Sequence, residues 1–94
     1  MVDKFIAELS RIIDPLIIKR RTVHYGNWDD TVQIEIDILC PCGNIERISQ
    51  IRHLKYYYSD PEGIAEETAA IMKKHISDEV KEGKLGKEWM EYLG

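Results

Sequence analysis

A chain of 94 residues with 44% hydrophobic content fits a single globular domain spanning 1–94, too small for a large core and ordinary in composition. The charge is uneven: residues 1–30 hold 5 basic and 5 acidic side chains, 31–58 hold 3 and 3, and 59–94 hold 5 and 9. That balance argues against a general phosphate-binding role for the last third, while the neutral first third is free to carry a local basic patch.

No apolar run approaches the roughly 18 residues of a membrane span, and Asp3 and Glu8 fall where a signal sequence would have to be apolar, so the expectation is a cytoplasmic protein with no membrane partner. A core this modest leaves room for self-association or a metal to add stability.

Val2, Phe5, Ile6, Leu9, Ile12 and Ile13 recur at spacings of three and four, which predicts an amphipathic helix from Asp3 to about Asp14, stopped by Pro15. Strand formers dominate Leu16–Ile18 and Thr22–Tyr25, so residues 16–25 are read as a strand interrupted by Lys19, Arg20 and Arg21. Gly26–Asp30 is rich in turn formers and joins this strand to Thr31–Cys40. There Val32, Ile34, Ile36 and Ile38 alternate with Thr31, Gln33, Glu35 and Asp37, the pattern of a strand with one buried face.

Cys40-Pro-Cys-Gly-Asn44 is a second turn, and the shortest return from it predicts a third strand at 45–52. The spacing of Ile45, Ile48, Ile51 and Leu54 also admits a helix begun at Asn44. Ser59, Asp60 and Pro61 mark a strong helix start, and the helix should run to about Glu82 with Ile64, Thr68, Ile71, Met72, His75, Ile76 and Val80 as its buried stripe. Leu85, Trp89 and Leu93 suggest a short last helix docked through Trp89 and Leu93.

The elements α-β-β-β-α-α make an α+β fold, a three-stranded antiparallel sheet with its helices packed on one face. Double-stranded-RNA-binding domains share this order. They need basic residues at the start of the last long helix to meet phosphates, and this chain has Asp60, Glu62, Glu66 and Glu67 there.

Four groups of residues are candidates for function. Cys40 and Cys42 are metal-ligand candidates: zinc held by both thiolates would be completed by a second chain's pair, or by His53 and another side chain. The alternative is a plain turn with small buried thiols, and reduced thiols are expected, because a bridge across one intervening residue closes a very small ring. Lys19 and Arg21 share a face of a regular strand and could meet phosphates or an acidic protein surface, and Trp28 at the adjoining turn could stack on a base or anchor a protein. The alternative there is a solvated strand. Tyr56, Tyr57 and Tyr58 cannot all point inward if extended, which makes Tyr57 a candidate contact residue.

No G-x-S-x-G, phosphate-loop or H-E-x-x-H motif occurs, and no Cys-His family pattern surrounds either cysteine, so the chain is read as non-enzymatic. The functional expectation is a small regulatory protein that binds a macromolecular partner. Inhibitors of nucleic-acid-handling enzymes, including those carried by mobile elements, fit such a charge. A nucleic-acid-binding module using Lys19, Arg21 and Trp28 is the alternative.

Overall fold

Alternation in the middle strand sets the layering of the molecule. The computed structural model describes residues 2–26 and 30–93. In it β2 (Thr31–Leu39) buries Val32, Ile34, Ile36 and Ile38 on one face and turns Thr31, Gln33, Glu35, Asp37 and Leu39 to the other. Strands β1 (Ile17–Tyr25) and β3 (Ile45–His53) flank it, both antiparallel, in the order β1-β2-β3. Residues 45–53 are thus a strand, as the tight turn before them predicts, and not the competing helix.

The helices α1 (Asp3–Ile13) and α3 (Pro61–Lys81) pack against each other on the apolar side of the sheet. Helix α1 is tied to β1 by Arg21 and Asp3, while α3 is tied to β3 by an ion pair of 2.7 Å between Arg52 and Glu67. Phe5, Leu9 and Ile13 of α1 meet the β2 stripe in one core, and each side chain buried there contributes roughly 1.5–3 kcal/mol. This is the α+β order expected from the sequence. Among the described residues no helix is long and apolar enough to cross a membrane.

Helix α3 starts where its signals place it. Asp60 accepts the Gly63 backbone N–H at 3.0 Å and Pro61 takes the first helical position, where no N–H is required. Its buried stripe differs from the expected one. Ile64, Ala65, Thr68, Ala69, Met72 and Ile76 are buried, whereas Ile71 is exposed and His75 sits at the boundary with its Nε2 3.7 Å from Glu46 Oε1. The buried stripe runs through Ala65 and Ala69, which leaves Ile71 on the outward side of the helix.

Two further elements complete the chain. Leu54–Ser59, which leads out of the sheet, forms a short helix, α2, that the sequence pattern does not mark. The C-terminal segment is a 3₁₀ helix, Lys87–Tyr92, and it docks through the fully buried Trp89 as predicted.

Gln50, on the inward face of β3, has partners on two helices. Gln50 donates its amide to the Tyr57 hydroxyl at 3.1 Å and accepts from the Thr68 hydroxyl at 2.9 Å, joining β3, α2 and α3 through one side chain.

Candidate functional site

With both long helices on one side, no helix among the described residues covers the other face of the sheet. Register assigns its rows. Ile17, Leu39 and Ile45 lie side by side across the three strands at the end nearest the cysteine turn, with Ile17 55% and Ile45 48% exposed. The next row is Arg20, Asp37 and Arg47, followed by Thr22, Glu35 and Ser49, and then His24, Gln33 and Ile51, the last 65% exposed.

Arg47 donates to Asp37 Oδ1 at 2.8 Å and Oδ2 at 3.3 Å, and this bidentate contact holds the Asp37 carboxyl below its ordinary range; Arg20 and Lys19 act in the same direction. Lys19, Arg20, Asp37 and Ile45 line an open depression of about 440 Å³. Three cations against one carboxylate thus border an aliphatic row. A smaller depression of about 160 Å³ lies at the opposite end, lined by His24, Tyr25, Gly26, Thr31, Gln33 and Ile51.

The basic tripeptide is arranged differently from a regular strand. The register of β1 shifts between Ile18 and Arg20, so that Lys19 is an extra residue, Arg20 stands opposite Asp37 and Arg21 opposite Ile36. A one-residue bulge reverses the facing of everything beyond it. Arg20 therefore joins the uncovered face, and Arg21 turns to the helix side to pair with Asp3. The expected sharing of one face by Lys19 and Arg21 is corrected to a grouping of Lys19, Arg20 and Arg47. Ile18 and Val23 carried the signal: they are five apart, an odd spacing, and they point to the core together only across a bulge.

Tyr57 is corrected as well. It is 2% exposed, packs edge-on against Phe5 with ring centroids 5.0 Å apart, and has its hydroxyl bonded to Gln50, so it is a core residue and no contact surface. Helical geometry turns its neighbours away, leaving Tyr56 and Tyr58 exposed. Trp28 lies outside the described residues.

The turn after β2 is closed by two backbone bonds, Cys40 N–H to Asn44 O at 2.9 Å and Gly43 N–H to Cys40 O at 2.8 Å, with Gly43 at φ +97° where a side chain would be strained. The Cys40 and Cys42 Cα atoms are 5.0 Å apart, within bridging range, and their sulfurs are joined. This corrects the expectation of reduced thiols: the reversal at Pro41 brings both side chains to the same side.

His53 does not lie beside the cysteine pair. His53 pairs with Thr31 while Ile45 pairs with Leu39, so the imidazole is eight positions along the strand from the turn, roughly 26 Å at about 3.3 Å per residue. Among the described residues no three metal-ligating side chains converge. Compared with protein-family models, with curated proteins and with solved structures, the chain matches none.

Proposed function

We propose that this chain is a binding protein that recognises an acidic protein surface through the uncovered face of its sheet. The observation that carries the reading is the aliphatic row Ile17, Leu39 and Ile45 bordered by Lys19, Arg20 and Arg47. Aliphatic side chains left in water on a face that no described helix covers gain roughly 25 cal/mol per Å² when a partner covers them. The cations beside them favour a partner that brings carboxylates, steering approach and fixing register. A second copy of the chain fits this patch poorly when like faces meet, because the same three cations would oppose one another. A regulatory or inhibitory role would follow from the partner's identity.

Affinity recovery from the native host tests the reading with three proteins: wild type, the double variant Ile17→Ser/Ile45→Ser, and Arg20→Glu/Arg47→Glu. Wild type is expected to bring down a stoichiometric protein that survives nuclease treatment, and both variants to lose it while keeping their fold. A partner retained equally by all three overturns the proposal. Retention abolished by nuclease, with affinity falling steeply as salt rises, would establish the nucleic-acid reading instead.

A further inference from the structure

We propose that Cys40 and Cys42 form a thiol–disulfide exchange site whose co-reactants are small thiols and their disulfides, of the glutathione class. This goes beyond the binding reading and stands independently of it.

The argument starts from what the bridge does for the fold. A cross-link stabilises more the longer the loop it closes, and this one spans a single residue, Pro41, so its effect on the unfolded chain is at the small end of the range. The turn is held without it, by the backbone bonds between Cys40 and Asn44 and between Gly43 and Cys40. The pair can therefore open and close while β2 and β3 stay in register.

The two sulfurs are also unequal. Cys40 is 1% exposed at the end of the buried β2 stripe, whereas Cys42 is half-exposed at the tip of the turn. Each has a donor in place. The Cys42 backbone N–H points at Cys40 Sγ from 3.3 Å, and the Asn44 side-chain amide lies 3.7 Å from Cys42 Sγ, steadied by Glu88 Oε1 at 3.3 Å. Donors directed at sulfur favour the thiolate, and a stabilised thiolate is a better leaving group.

The reaction follows from that asymmetry. An external thiolate attacks Cys42 Sγ, the sulfur–sulfur bond breaks, and its electron pair leaves on Cys40 Sγ, where the Cys42 N–H meets it. A second external thiolate attacks the external sulfur of the mixed disulfide, the pair leaves on Cys42 Sγ beside the Asn44 amide, and an external disulfide departs. Two external thiols are oxidised, the two protons they give up are taken by the cysteines, and the cysteine pair is reduced by two electrons.

Mass spectrometry after acid quenching and alkylation, on the folded protein in graded mixtures of reduced and oxidised glutathione, tests the proposal. Wild type should pass between a bridged form and a form with two alkylated thiols without accumulating an adduct. Cys40→Ser should trap one glutathione on Cys42, and Cys42→Ser should react at Cys40 more slowly by about tenfold or more, as burial of a thiol requires. The wild-type titration needs no variant to fold. A bridge that stays closed in excess reduced glutathione under native conditions overturns the proposal, as does accumulation of a doubly glutathionylated protein. Reduced protein that instead holds half an equivalent of zinc per chain as a four-thiolate dimer overturns it too.

Discussion

Thr68 donates its hydroxyl to Gln50 Oε1 at 2.9 Å, tying the middle of α3 to the inward face of β3. Thr68 is a buried polar residue of that helix, and its partner also serves Tyr57, so one amide satisfies two elements at once. Thr68→Val preserves shape and removes the donor, leaving a half-buried carbonyl short of a partner. Chemical denaturation should show a loss of about 1–3 kcal/mol. A loss below about 0.5 kcal/mol would mean that water replaces the hydroxyl.

The two faces of the sheet should respond oppositely to truncation. Ile36 is buried at 2% exposure, and Ile36→Ala should cost about 2–5 kcal/mol, because the core around it cannot fully collapse. Ile51, on the uncovered face, should tolerate Ile51→Ser within about 0.5 kcal/mol. Equal costs at the two positions would show that something covers the second face in solution.

The Asp37 carboxyl is held below its ordinary value of 3.8, chiefly by its hydrogen bonds from Arg47. A carboxyl depressed in the folded state stabilises fully above its unfolded pKa and loses that contribution as pH falls through the folded one. Asp37→Asn should therefore melt slightly below wild type at neutral pH, with the gap closing as the pH drops below about 4. Melting curves across that range check the sign. A gap that widens on acidification would rule out the pair as its source.

Gly43 has φ +97° and open space where a Cβ would stand. Gly43→Ala should cost about 1–2 kcal/mol from backbone conformation alone, with no steric clash to add to it. Unchanged stability in a denaturant titration would mean that the turn relaxes to a negative φ.

Much of this architecture is legible in local chemistry. The β2 alternation fixes which face is buried, Asp60 and Pro61 start α3, Pro15 ends α1, and the short turn before Ile45 makes a return strand the cheapest path. Each is decided by neighbours within a few residues, and each is found where the local pattern puts it.

What the sequence by itself determined, then, is the order of the strands and the two long helices and the apolar side of the sheet, because period-2 and period-3.6 patterns are properties of the chain alone. Only the tertiary structure decided which residues share a surface. The bulge at Lys19 sends Arg20 outward beside Asp37 and Arg21 inward to Asp3, since Ile18 and Val23 must both reach the core. Packing against Phe5 takes Tyr57 out of reach of a partner, and a buried stripe that runs through Ala65 and Ala69 leaves Ile71 outside it. The β2–β3 register places His53 at the far end of the sheet from Cys40 and Cys42, and the hairpin turn joins the two sulfurs. These outcomes depend on which distant groups compete for the same space, and strand periodicity carries no record of that competition.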